Sequence, residues 1–417
     1  MSNLKEEDCE QKKIPITVWQ IGFMMLLMNI SFVMIYSFAG LYLKKILGAS
    51  VLGVGIVEGL SETMSHIMKL VSGILSDFFH KRKNIIVIGY VFSVLSKLLL
   101  AISSSFAMVF TNRLTERLGN GIQASPRDAI VADVAPRKKI GASYGLKRTL
   151  AYTGSLLGGF CGIVTMHLSN NNYQMVFAVA SVPSIVAFAI LIFCIKEPKK
   201  YNHQAMASEA PMPKPKVEQK FSISNFKYLG TSFWLLMCVN AVFMMSRMSE
   251  TFLILYAHDN FGIIEKFAPV VMIILNIGTS FISYPIGFLG DKFNRVKILF
   301  LGIAFLVFAD IVMFSASTIV SLGIGIFLWG AQLGATQNVF VSLIAEKVPE
   351  DLRGTGFGVY WLFNAIFAFI ADSIAGYVGN NVSVRNVFIS SGMIGLGALI
   401  VLALFMNDIS PARRRSL

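Results

Sequence analysis

Charge is scarce in this sequence. Asp, Glu, Lys and Arg make up 14% of its 417 residues, against about 25% in soluble domains. Cysteine is scarcer still. The four cysteines, Cys9, Cys161, Cys194 and Cys238, give no disulfide framework. Three lie in apolar runs and one in a polar tail, so they read as packing residues. No Cys/His cluster has the spacing of a structural zinc site. No Gly-x-x-x-x-Gly-Lys-Ser/Thr loop occurs, which excludes ATP as the direct energy source. No polar segment is long enough to fold as an enzyme domain. The expectation is a protein that is not an enzyme and needs neither cofactor nor metal.

What is abundant is apolar length. Hydrophobic residues make up 55% of the chain and the mean hydropathy is +0.67. Twelve stretches of roughly 20 residues are long enough to cross a bilayer. They lie near 16–43, 50–76, 84–104, 106–133, 142–167, 173–195, 228–257, 267–290, 296–315, 317–345, 355–379 and 386–407. Residues 1–15 form a charged tail that leads into the first run without a small-residue cleavage site, so that run reads as a retained helix. The net charge of +13 is unevenly placed. Only Lys44, Lys45, Lys266 and Arg385 fall in odd-numbered loops. Apart from those inside spans, the remaining Lys and Arg crowd the termini and the even-numbered loops. This asymmetry puts both termini and the even loops in the cytoplasm and argues against nucleic acid as the partner.

The chain repeats itself. Gly73 to Lys83 reads Gly-Ile-Leu-Ser-Asp-Phe-Phe-His-Lys-Arg-Lys. It returns 214 positions later, at Gly287 to Lys297, as Gly-Phe-Leu-Gly-Asp-Lys-Phe-Asn-Arg-Val-Lys. Ser37 to Tyr42 is echoed by Thr251 to Tyr256 at the same offset. Asp133 to Gly141 is echoed by Glu346 to Gly354 one residue short of it. Such echoes mark two homologous halves, and in an apolar chain two similar helical bundles. The expected organisation is a six-helix bundle over 16–195, a Pro-rich cytoplasmic linker over 196–227, a second six-helix bundle over 228–407 and a basic tail over 408–417.

The Gly-x-x-x-Asp turn with its basic end, present twice, resembles the loop signature of the major facilitator superfamily. That resemblance implies an all-α membrane protein of 12 transmembrane helices in two pseudo-symmetric bundles. In that family the turn latches the bundles in the outward-facing state. Carried over, the latch would comprise Gly73, Asp77, Lys81, Arg82 and Asp133, and in the second half Gly287, Asp291, Arg295 and Glu346. His80 and Asn294 stand where the family usually has glycine. The plainer reading of both turns is a basic loop that obeys the positive-inside rule.

Ionisable residues inside spans are costly and mark function or buried pairing. The second span carries Glu58, Glu62, His66 and Lys69 on the face of Gly73. The matching positions of span eight are uncharged, so the stripe belongs to the first half alone. Span four carries Arg113, Glu116 and Arg117, with Arg113 near the depth of Glu58 and Arg117 near that of Glu62. Span five opens with Arg148. These groups form either a structural ion-pair network or a proton site beside an anion-binding cavity. The proton candidates are Glu58, Glu62, His66 and Asp372. The solute candidates are Lys69, Arg113, Glu116, Arg117, Arg148, Arg247 and Glu250. Arg247 and Glu250 lie one turn apart in span seven and can pair with each other. Asp310 in span nine stands alone.

Arg113 resembles the span-four arginine of the superfamily, which is linked there to proton transfer; Arg117 replaces the glycine of that pattern. The glycines of span five, Gly145, Gly154, Gly158, Gly159 and Gly162, resemble the signature of proton-driven exporters. In that signature Pro would sit at Gly159 and Gly at Ile163. They also serve ordinary close packing. Ser125-Pro126-Arg127-Asp128-Ala129 with Gly141 and Arg148 resembles a group of bacterial members and names no substrate. The expectation is a secondary transporter of the cytoplasmic membrane that moves a small solute by alternating access, with proton-coupled export favoured. Proton-coupled uptake of an anionic metabolite or an organic iron chelate is the alternative. A membrane sensor or scaffold, or a lipid flippase, are the others. The expected partners are lipid, a small-molecule solute and protons, without nucleic acid, and the chain is expected to be monomeric.

Overall fold

The computed structural model describes residues 14–79, 82–135, 140–195, 229–292, 294–348 and 353–409. Among these residues every regular element is a helix. In chain order they are α1 Ile16–Leu41, α2 Val51–Phe79, α3 Arg82–Ala101, α4 Phe106–Val134, α5 Ile140–Leu168, α6 Tyr173–Phe193, α7 Thr231–Ser246, α8 Thr251–Phe261, α9 Ala268–Lys292, α10 Arg295–Ser315, α11 Ile319–Lys347, α12 Arg353–Asn381 and α13 Asn386–Ile409. A π-turn, Tyr42–Ile46, extends α1, and a 3-10 turn, Glu265–Phe267, precedes α9.

Among the described residues, 10 helical stretches are long and apolar enough to cross a membrane. α2 and α4 are not among them, although each has 29 residues, roughly 44 Å of helix at 1.5 Å per residue. What sets them apart is charge: Glu58, Glu62 and Lys69 on α2, and Arg113, Glu116, Arg117, Arg127 and Asp128 on α4. These two helices carry most of the first half's ionisable groups in the site.

The helices pack in matching patterns along the two halves of the chain. α1 lies against α6, α2 against α4, and α4 and α6 against α3. Correspondingly α7 lies against α13, α9 against α11, and α11 and α13 against α10. Between the halves α2 runs against α12 and α5 against α9. Glycines set these approaches. A Cβ at Gly55 would stand 2.5 Å from the Asp372 carbonyl oxygen and 2.9 Å from Gly376 Cα, so α2 and α12 touch backbone to backbone. The span-five glycines serve two neighbours. A Cβ at Gly154 would lie 2.2 Å from the Leu26 carbonyl oxygen on α1, and one at Gly159 2.5 Å from Ile273 Cγ1 on α9.

One sequence expectation changes. The seventh span was expected as a single helix over 228–257, and it is broken. α7 ends at Ser246, Arg247 takes an extended conformation (φ −98°, ψ 92°), and α8 starts at Thr251. No helix breaker stands there, only Arg247-Met248-Ser249-Glu250. Side chains of other helices make the break by taking its backbone partners. The Asp372 carboxylate on α12 accepts from the Ser249 amide at 2.6 Å. The Ser391 hydroxyl on α13 lies 2.5 Å from the Ser246 carbonyl. A kink where side chains enter the hydrogen-bond ladder is a recognised cause of helix breaks.

The two glycine pairs predict separable effects. Gly154→Leu overpacks the α1–α5 contact within one half and lowers the thermal midpoint in detergent, by about 1–3 kcal/mol of stability. Gly159→Leu acts between the halves. It leaves the midpoint near wild type and speeds alkylation of a cysteine at Val33 by an impermeant reagent added on the odd-loop side. Indistinguishable behaviour of the two variants would overturn this division.

Candidate functional site

A central cavity of about 290 Å³ opens between the halves, lined by α1, α2, α4, α5, α7, the Arg247–Glu250 segment, α9, α11 and α12. Its size lies at the small end of ligand pockets, roughly 300–1,000 Å³. The charges around it fall into two groups.

The first group is sealed. Arg113 is fully buried and holds both oxygens of Glu58, at 2.8 and 2.9 Å, and Glu116 at 3.0 Å. Its guanidinium lies 5.1 Å from the centre of the Tyr36 ring. Lys97 on α3 is buried too and adds a second cation on the Glu116 side. Two acids and two bases thus balance inside the first half. Glu58 lies at the edge of the cavity, whereas Arg113 and Glu116 stand behind its wall.

The second group lies toward the cavity, and all of its charged residues but Lys69 line the wall. Arg117 pairs with Glu62 at 3.3 Å and stacks over Phe32 and Tyr36. His66 Nε2 lies 3.4 Å from Glu62, and its ring stacks on Trp361 of α12. Lys69 covers the same indole, 5.0 Å from its centre. From the second half, Arg247 reaches Glu250 at 3.8 Å, but across the break instead of along a helix turn. Asp372 is buried at the cavity edge on the Ser249 amide. Tyr36 joins the groups: its hydroxyl meets Ser249 Oγ at 2.7 Å and donates to Glu250 at 3.0 Å.

Of the residues singled out from the sequence, the cavity wall therefore brings together Glu58, Glu62, His66, Arg117, Arg247, Glu250 and Asp372. Lys69, Arg113, Glu116 and Arg148 are not part of it. Arg148 is exposed near the even-loop end of α5. The expected latch residues lie at that same end. Arg82 pairs with Asp133, and Arg295 with Glu346 at 3.4 Å, each within its own half. Gly73 packs next to Ser125 of α4. Lys81, the side chains of Asp77 and Asp291, and the surroundings of Gly287 lie outside the described residues.

Sequence reasoning missed Tyr36, Ser249 and Lys97. Tyr36 stands 214 residues before Glu250, which is the repeat offset, so the repeat itself carried the signal. It also missed a closure on the odd-loop side. Lys44 meets Asp259 at 2.5 Å and Lys45 meets Glu265, both pairs joining the two halves. These lysines are the rare basic residues of the odd loops, which was the available signal.

The family model of the Major Facilitator Superfamily matches residues 21–372 and 269–417. The chain belongs to this superfamily. It is 29% identical over 397 residues to an uncharacterised MFS-type transporter of Methanocaldococcus jannaschii, covering 90% of this chain and 92% of that one. It is 24% identical over 336 residues to the multi-drug resistance efflux pump PmrA of Streptococcus pneumoniae, covering 79% of each. Among solved structures, the nucleoside transporter NupG matches with a TM-score of 0.74 at 13% identity, covering 93% of this chain and 99% of that one. A D-xylose-proton symporter matches with a TM-score of 0.73 at 13% identity, covering 96% and 98%. At such identity these structures speak for the fold.

The sealed and cavity-facing groups predict different costs. Arg113→Met removes the cation that holds both buried carboxylates and lowers stability by about 3–5 kcal/mol. Glu62→Gln touches a pair open to the cavity and costs under ~1 kcal/mol. Denaturant unfolding in detergent measures both, and the reverse order would contradict the assignment.

Proposed function

We propose that this superfamily member is a secondary transporter that exchanges a small organic solute for protons by alternating access, working as an exporter. The observation that carries this reading is the meeting of Glu62–Arg117 from one half and Arg247–Glu250 from the other in one cavity, joined by Tyr36. Each pair can open to take a charged group and close again when it leaves. Movement of the halves would break the Tyr36 bridge, so occupancy and conformation are tied. Discontinuous helices near the midplane are where secondary transporters hold substrate, and the break at Arg247–Glu250 lies in the cavity wall.

The charge-asymmetry rule puts the odd loops outside. The state described here, with Lys44–Asp259 and Lys45–Glu265 joined, is then closed to the outside. Solute would enter from the cytoplasm. A cationic or polar solute would compete with a proton for Glu62, which is the logic of antiport. The efflux pump PmrA among the relatives supports export. The basic cluster of Lys69, His66 and Arg117 supports a second reading: an anionic solute would take Arg117 and leave Glu62 to a proton, which is the logic of symport and uptake. Proton movement inward is worth about 2.3 kcal/mol per charge per 100 mV, in addition to the pH difference.

Proteoliposomes given a mixed metabolite extract and an imposed pH gradient, read by mass spectrometry, test this. Exporter and importer differ in whether a species accumulates against or with the imposed proton flux. Glu62→Gln is expected to abolish uphill transport while keeping solute exchange. Full uphill activity in that variant would remove Glu62 as the coupling group.

A further inference from the structure

The break in the seventh span leaves several carbonyls without their helical partners, among them that of Ser246. The Ser391 hydroxyl lies 2.5 Å from that carbonyl oxygen and 2.5 Å from Asp310 Oδ2. A serine hydroxyl has one proton to donate. A carbonyl can only accept, so a hydrogen bond at that distance takes the serine proton. The second short contact then needs a proton from the other side. Among the described residues, Asp310 is the partner that can supply it, through Oδ2–H donating to Ser391 Oγ. Were the carboxyl ionised, three oxygens at 2.5 Å spacing would share a single proton.

The surroundings agree. Asp310 is buried, and its second oxygen, Oδ1, has no hydrogen-bond partner. Burying an ionised carboxylate without a counter-charge is costly. The charged groups on the elements around it are engaged or placed elsewhere. Arg295 and Lys297 lie at the far end of α10, Glu346 and Lys347 at the even-loop end of α11, and Asp408 at the end of α13. Lys292 ends α9. Arg385 donates to the Phe314 carbonyl, Arg247 turns to Glu250, and on α8 His258 meets the Ile263 carbonyl while Asp259 takes Lys44. α10 also holds the far side of the break, because Tyr256 on α8 donates to the Met313 carbonyl at 2.7 Å.

We propose that Asp310 is a proton-binding site outside the central cavity, loaded in this state, and that its proton holds the Ser391 clasp on the broken seventh span. On release, the Oδ2–H bond breaks and the proton leaves to water. The Ser391 hydroxyl then turns from the Ser246 carbonyl to the Asp310 carboxylate. The carbonyl is left unpaired, which frees the break to rearrange. The site needs no assumption about the solute or the direction of transport.

Infrared spectroscopy of the full chain in lipid nanodiscs at neutral pH tests it without a transport assay. Asp310→Asn keeps a donor for Ser391 and removes the titration. The wild-type-minus-variant spectrum should show loss of one carboxylic-acid C=O band and no loss of carboxylate bands; loss of carboxylate bands would overturn the proposal. If that variant does not fold, Ser391→Ala decides. The same acid band should move to higher frequency as its O–H loses its acceptor, and an unmoved band would overturn the assignment. Hydrogen exchange over residues 244–256 should rise, beyond the intrinsic chemical rate, as the band is titrated away. Exchange that stays flat through that titration would refute the link to the break.

Discussion

No backbone polar group can go unpaired in the hydrocarbon core, and the seventh span breaks that core's simplest solution at its centre. At the Arg247–Glu250 break, side chains from three other helices and one of the segment's own meet its polar groups. Asp372 takes the Ser249 amide, and Ser391 lies on the Ser246 carbonyl. Ser249 Oγ accepts from the Thr251 amide, and Tyr36 reaches in from the other half to Ser249 and Glu250. The partners come from α12, α13 and α1, so the shape of this one segment depends on the arrangement of three helices. A continuous helix would carry its own hydrogen bonds and be indifferent to them. The shape of the broken one depends on where its neighbours stand.

The charged groups divide by the same logic. Arg113, Glu58 and Glu116 are paired together within the first half, beside Tyr36. Opening such a pair is costly, so it suits structure. Glu62–Arg117 and Arg247–Glu250 are partly open and longer, at 3.3 and 3.8 Å. They can exchange partners cheaply. The second-span stripe is therefore two things at once: its residue nearest the odd-loop end, Glu58, is locked, and the residues a turn or two further along are available.

Much of the fold was legible in the sequence, because hydropathy and repetition are linear signals. Twelve apolar stretches, the doubled Gly-x-x-x-Asp turn and the basic even loops each read directly from residue order. The pairing of Glu58 with Arg113 followed from depth along two helices. The break did not follow, because nothing in Arg247-Met248-Ser249-Glu250 disfavours a helix. It is imposed by Asp372 and Ser391, more than 120 positions away. Asp310 likewise read as an isolated oddity in a peripheral span, since its meaning lies in a hydroxyl on another helix. The bridging role of Tyr36 was hidden in a repeat compared for likeness, where the informative fact was a difference: tyrosine in one half, glutamate in the other.

In the proposed mechanism the two halves separate at the odd-loop side as they close on the other. Double electron–electron resonance gives the most direct test, using one pair of spin labels at the exposed positions Ile46 and Ile264 and a second pair at Thr149 and Val341. Changing pH in nanodiscs should lengthen the first distance while shortening the second, because Lys44–Asp259, Lys45–Glu265 and the Tyr36 bridge must part together. Single, pH-independent distances in both pairs, in protein shown to be folded, would contradict it.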